Sequence, residues 1–256
     1  MSEISYARPS STVVLARSGA HAPEVFMVRR HAKSAFGSAY AFPGGVVEED
    51  DAAVHEFCTG LTSSEADRHL GVKSNGFDLY SAAIRELFEE TGVLLADAAA
   101  TGEDLCAVRD GLNAGTDRWM DFVSRNELEL HCDRLHYFSH WITPQMFEKR
   151  FSTRFFMAEM PDGQHAEHCG QELTDSRWST AHDMLDAGRA GDIRLHFPTI
   201  KTLELIARYE TLAELLSWAQ SCVEWGVTSM LPAIIERAGE KDIVLPGEKD
   251  YPGAKT

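Results

Sequence analysis

Arg85-Glu86-Leu87-Phe88-Glu89-Glu90-Thr91-Gly92-Val93 is the stretch on which the reading of this chain turns. It closes a longer run, LYSAAIRELFEETG, whose apolar residues recur at helical spacing, and Gly92 marks the stop. At 100° per residue, Glu86, Glu89 and Glu90 fall within an arc of about 100° on one face, while Ile84, Leu87 and Phe88 form the opposite, core-facing stripe. Arg85 stands four residues before Glu89, close enough to orient its carboxylate. Three like charges so placed repel one another unless something neutralises them, and hard divalent cations bound through oxygen do this well. Taken alone, a glutamate-rich face is usually just solvated; the surrounding residues shift that balance.

Upstream stand Phe42-Pro43-Gly44-Gly45, a sharp turn, and Asp51 follows Gly45 by six residues. Further out, Thr12 to Arg17 and Glu24 to Arg30 read as a β-hairpin, and a polar segment with helical periodicity from Ala53 to Leu70 is capped in its second half by Ser63 or Ser64. VLLA after Gly92 reads as a strand, residues 101 to 130 as two short helices on either side of Ala114-Gly115, and 134–143 and 150–160 as strands separated by a turn at Pro144. A further strand ends near Trp178. Helices over Ala181 to Arg189 and Thr199 to Ala219 follow, the second opened by Pro198, and an extended arm begins at Gly239. Strands early and late with helices between them predict an α+β class. One domain over residues 1–240, with an insertion at about 52–80, and a tail over 241–256 is the expected organisation.

Twenty-four Lys and Arg against forty Asp and Glu leave a net charge of −16 over 256 residues. That charge, spread along the chain, argues against nucleic acid, whose phosphates are bound through basic patches. The five cysteines show no CxxC spacing and fit a reducing compartment. No apolar run of spanning length is present, so a cytoplasmic protein without membrane partners is expected. His165-x-x-His168-Cys169 carries metal-ligating residue types but lacks a fourth ligand nearby.

The glycine turn and the glutamate helix together resemble the Nudix box, Gx5Ex7REUxEExGU. Gly45 supplies its first glycine, Asp51 stands in the place of its first glutamate, and residues 85–93 match every later fixed position. Thirty-three residues, 52 to 84, fill a spacer of 7 in the motif, an insertion of 33 − 7 = 26. Such a length is tolerable on a surface because loop-closure cost grows only logarithmically. The long insertion is similar to that of one branch of the Nudix hydrolases, which includes an animal peroxisomal coenzyme A diphosphatase. Matches outside the box include His140 to Pro144, Arg150 to Phe156, Trp178 and Leu245-Pro246-Gly247.

The resemblance implies a mixed β-sheet sandwiched between helices, with a helical insertion and extra C-terminal helices. It implies metal ligation of Mg2+ or Mn2+ by Glu86, Glu89, Glu90 and the Gly45 carbonyl, with Arg85 as an orienting residue. Glu48 or Glu49 is the alternative to Asp51. The general base is Glu89 or a more distant acid, Glu172. For substrate binding, Arg150 and Arg154 share one face of a strand, where they grip a phosphate or a base or else merely guard an edge; Arg30, beside Arg29, is a third candidate. The expected activity is hydrolysis of a pyrophosphate bond in a nucleoside diphosphate linked to another moiety, coenzyme A or acyl-coenzyme A first. ADP-sugars or dinucleotides are the alternative substrates, and a non-catalytic nucleotide-binding module the alternative class. Homodimers are a habit of the family.

Overall fold

The computed structural model describes residues 6–30, 37–97, 104–170, 173–237 and 239–252. Its main sheet is built on β1 (Arg8–Arg17) and β2 (Glu24–Arg30), which pair as the expected hairpin. β1 runs parallel to β8 (Phe151–Glu159) along its whole length, and β8 is antiparallel to β7 (His136–Ile142). The other edge of β1 is shared. Its beginning pairs with β4 (Gly44–Val46) and its end with β2, which in turn pairs with β3 (Ala39–Ala41) and β9 (Leu173–Thr180). The two short strands β10 (Arg194–Leu195) and β11 (Ser229–Met230) extend β3 and β7. β1 thus changes partner midway, from β4 to β2, and residues of both β3 and β4 border a cleft.

Side-chain alternation along the strands divides the core in two. Val13, Leu15, Phe26, Val28, Phe156 and Ala158 face α3 (Gly76–Thr91), α4 (Leu105–Ala114) and α5 (Trp119–Arg125). Val14, Ala16, Val25, Met27 and Met157 face α6 (Ala181–Ala190), α7 (Phe197–Ile206) and α8 (Leu212–Trp225). The sheet therefore lies between two helical layers, the α+β arrangement expected. Ile84, Leu87 and Phe88 are fully buried, as the stripe on α3 requires.

Four local expectations are corrected. The polar stretch is not one helix: α1 (Glu49–Ala52), a tight 3-10 turn at His55–Phe57 and a two-residue strand β5 (Cys58–Thr59), paired with β6 (Leu130–His131), precede α2 (Ser63–Leu70). Gly60 at φ +78 turns the chain there, and the cap is Thr62, whose hydroxyl accepts from Glu65 N while Glu65 returns the bond. VLLA is buried and extended but makes only a single bridge, Ala96 to Leu130. The helix expected over Thr199 to Ala219 is broken after Ile206, because Thr211 and Glu214 form a capping box that starts α8 afresh. Finally, the segment after Gly239 is not an extended arm: β13 (Glu240–Val244) folds back on β12 (Ala233–Arg237) as a hairpin, with Ile234 opposite Ile243. No helix among the described residues is long and apolar enough to cross a membrane.

Candidate active site

Arg85 organises the site. It is 3% exposed, and its guanidinium reaches five acceptor atoms on four residues. Nε and Nη2 hold the two oxygens of Asp51 at 3.1 and 2.9 Å, Nη2 also donates to the Val46 carbonyl at 2.8 Å, and Nη1 donates to Glu86 Oε1 at 3.0 Å and Glu89 Oε2 at 3.2 Å. The planar fork suits this task, which a point-charge ammonium would not fill. One side chain thus ties together α1, α3 and β4.

Asp51, in the place of the motif's first glutamate, is completely buried and does not border the cleft. It accepts from Ser81 Oγ at 3.0 Å and Glu48 N at 2.8 Å besides Arg85, and Trp119 Nε1 supports Ser81 at 3.1 Å. Its place is that of counterion to Arg85. Glu48, the alternative, borders the cleft.

The cleft holds about 1090 Å³ and is bordered at one end by Gly45, Glu48, Arg85, Glu86, Glu89 and Glu90. Glu90, 4% exposed, reaches across to β4, where its Oε2 accepts from Gly44 N at 2.9 Å. So helix periodicity brought three carboxylates to one face, and the fold then divided them: Glu86 and Glu89 share Arg85, while Glu90 clasps the glycine strand. Among the described residues no three His, Cys, Asp or Glu side chains already converge into a metal cage. Burial, reinforced by Glu86, Glu48 and Asp51 and opposed by Arg85, pushes the Glu89 carboxyl up to about 8. At Gly45 a Cβ would collide with the Glu86 carboxylate, so any larger residue there displaces that side chain from its present place.

The C-terminal end of α3 is clamped by α4. Arg109 Nε and Asn113 Nδ2 both donate to the Glu89 carbonyl, at 2.9 and 3.0 Å, and Arg109 Nη2 reaches Glu167 O at 2.7 Å. Two of the helix's unpaired terminal carbonyls are met in addition by Cys169 N on Glu90 and Glu167 N on Thr91. Sequence reasoning missed this clamp, since nothing in local spacing marks which helix will lie across the end of another.

Of the candidate substrate cations, Arg150 and Arg154 do share a strand face, but it is not the cleft face. Phe151, Thr153 and Phe155 line the cleft, so Arg154 points the other way, toward Ser152 Oγ at 2.7 Å and the buried His140, while Arg150 Nε holds the Thr143 carbonyl at 3.0 Å. Two-residue alternation on β8 enforces this. Besides the buried Arg85, the Lys and Arg side chains that border the cleft among the described residues are Arg8 and Lys149, both exposed. Glu172 and the side chain of Arg30 lie outside the described residues. His168 bonds Ser176 Oγ at 2.9 Å rather than joining a metal cluster.

A sheet between helical layers, carrying a glycine strand locked to an REUxEE helix, defines a Nudix hydrolase. The model of the NUDT19 Nudix domain matches residues 74–206, just over half of the chain, and the chain belongs to this family. It is 25% identical over 236 residues to putative nudix hydrolase 7 of Caenorhabditis elegans, covering 89% of this chain and 69% of that protein. To the acyl-coenzyme A diphosphatase NUDT19 of Xenopus laevis it is 24% identical over 271 residues, covering 90% of this chain and 71% of that one. The crystal structure of a Nudix hydrolase from Alicyclobacillus acidocaldarius superimposes with a TM-score of 0.64 at 28% identity, covering 84% of this chain and 97% of that chain.

Proposed function

We propose that the protein hydrolyses the pyrophosphate bond of coenzyme A or an acyl-coenzyme A, releasing a phosphopantetheine derivative and 3′,5′-ADP. The observation that carries this reading is the acidic end of the cleft, where Arg85 holds Glu86 and Glu89 beside the Gly44–Val46 strand. The similarity to relatives named acyl-coenzyme A diphosphatase supports the choice among nucleotide diphosphates.

A divalent ion fits the chemistry of the donors. Four carboxylates, of Glu48, Glu86, Glu89 and Glu90, border one cleft with the Gly45 backbone, and all are hard oxygen ligands of the kind Mg2+ and Mn2+ take. Glu86, Glu89, Glu90 and the Gly45 carbonyl would hold it. When bound, such an ion supplies charge neutralisation for the pyrophosphate and acidifies the attacking water. The chain's own part is orientation and proton transfer. Arg85 fixes Glu86 and Glu89 without occupying the cleft itself, since its head group is buried behind them. Glu89, with Oε2 held by Arg85, receives the proton of the attacking water on Oε1. Glu172 is the alternative base.

The test is a substrate panel of coenzyme A, ADP-ribose, NADH and diadenosine polyphosphates, with and without Mg2+, read out by product identity. Coenzyme A should give 3′,5′-ADP in a metal-dependent manner, and Glu89→Gln should lose about 10²-fold or more in kcat. A faster rate on ADP-ribose or a dinucleotide would move the substrate to that class. If wild type and Glu89→Gln were equally inert on the whole panel, the reading would reduce to a nucleotide-binding module.

A further inference from the structure

The segment that carries Asp51 is held from behind by a second set of contacts. Seven residues after Asp51, Cys58 opens β5, which runs parallel to β6 with Cys58 beside Leu130 and Thr59 beside His131. Thr59 Oγ1 adds a bond to the Leu130 carbonyl at 3.2 Å. Cys132 follows β6 directly and starts the 3-10 turn Cys132–Arg134, two residues on from the partner of Cys58. A continued ladder would set Gly60 beside it, and Gly60 has no side chain to stand between the two cysteines. Their thiols are in contact. Cys58 Sγ donates to the Val54 carbonyl at 3.7 Å, and its lone pairs take the hydrogen of the Cys132 thiol. That bond, and then burial, holds the Cys132 thiol above its ordinary value. Cys132 is completely buried, Cys58 is half-buried, and neither borders the cleft.

We propose that Cys58 and Cys132 form a site of reversible oxidation, at which a hydroperoxide closes a disulfide that ties the insertion to the segment after β6. Cys58, the thiol nearer to solvent, attacks the peroxide as its thiolate. The O–O bond breaks, one oxygen stays on the sulfur as a sulfenic acid, and the other leaves as water or an alcohol with the proton that Cys58 released. The Cys132 sulfur, already in contact, then attacks the Cys58 sulfur; the S–O bond breaks, and the hydroxide that leaves takes the Cys132 proton as water. In sum, two electrons pass from the two sulfurs to one hydroperoxide. The new bond joins positions 132 − 58 = 74 apart, a long loop whose closure restricts the unfolded chain. In the folded chain it pins the stretch that begins at Asp51, the counterion of Arg85. Of the other cysteines, Cys106 and Cys169 lie near Arg109 instead, and Cys106 is exposed, which makes them the rival site for the oxidant.

The test exposes the wild-type protein, in EDTA, to a small molar excess of hydrogen peroxide, blocks the remaining thiols with iodoacetamide in denaturant, and maps the peptides without reduction. A peptide pair joining Cys58 to Cys132 is expected. Calorimetry of the oxidised protein should show a Tm about 4 °C or more above that of the reduced protein, a rise that dithiothreitol reverses. Cys58→Ser should lose both the cross-link and the rise, whereas Cys106→Ser should keep both. Mapping and melting are carried out on the wild type, so the test stands even if a variant folds poorly. Cys58 recovered as a sulfinic acid with Cys132 alkylated would overturn the proposal, since the second thiol then failed to resolve the first. So would a disulfide joining Cys106 to Cys169 or to a second chain with Cys58 and Cys132 left as thiols. A Cys58 to Cys132 cross-link that leaves Tm within about 1 °C of the reduced protein, or lowers it, would overturn the tether.

Discussion

Replacing Asp51 by Asn separates two roles that the motif leaves open. As a metal ligand, Asp51 would add to a repelling carboxylate group, and removing its charge would stabilise the metal-free protein. As built, it is fully buried and accepts four hydrogen bonds, two from Arg85 and one each from Ser81 and Glu48 N. Asn offers one carbonyl oxygen and turns an NH2 group toward donors, so at least one buried donor on Arg85 or at Glu48 N loses its acceptor. Breaking a buried ion pair from one side costs about 3–5 kcal/mol. Arg85 keeps Glu86, Glu89 and the Val46 carbonyl, which places the loss near the lower end, about 3 kcal/mol. For a chain of 256 residues this is a fall in Tm of about 6–12 °C. The assay is differential scanning calorimetry in EDTA, where metal plays no part. A Tm that rises, or stays within about 2 °C of wild type, would refute the counterion role and return Asp51 to the ligand set.

Gly45→Ala should separate activity from stability: the new methyl meets only the far end of the flexible Glu86 side chain, so Tm should change little while kcat falls about 10²-fold through the misplaced carboxylate. In EDTA, stability should fall as pH rises from 4.5 to about 8, because the folded state holds the Glu89 proton that the unfolded chain releases near 4.5; the loss, about 5 kcal/mol at most, should vanish in Glu89→Gln. Burial beside Arg154 lowers His140 to about 4, so His140→Gln should remove a stability loss that urea melts detect as pH falls from 6.5 to 4. Arg109→Ala should lower kcat about tenfold with KM nearly unchanged, since it withdraws a donor from the Glu89 carbonyl, and a stronger effect on KM would refute a positioning role.

Local order was legible wherever one residue set both pattern and structure. The α3 stripe, the stop at Gly92 and the β1–β2 hairpin follow from periodicity and turn chemistry alone, and all three are present. The errors cluster where a short-range signal competed with a capping choice. Thr62 and Thr211 each began a new helix with a glutamate three residues on, and the apolar periodicity on either side gave no sign of the break. For VLLA, β-rich composition correctly indicated burial and extension, yet ladder membership depends on which strand is free to pair.

For the site, helix geometry by itself determined that Glu86, Glu89 and Glu90 share a face and that Arg85 reaches Glu89, because both are fixed by a rise and a rotation per residue. The tertiary structure alone decided what each does there. It brought Gly44 from forty-six residues away to take Glu90, and turned Asp51 inward as the partner of Arg85. It also set Arg150 and Arg154 on the face away from the cleft, since the pairing of β8 decides which parity of a strand looks outward. The wall that Ile234 and Ile243 add to the cleft comes from a C-terminal hairpin that the sequence presented as a loose arm, and it exists only because segments far apart in number meet there.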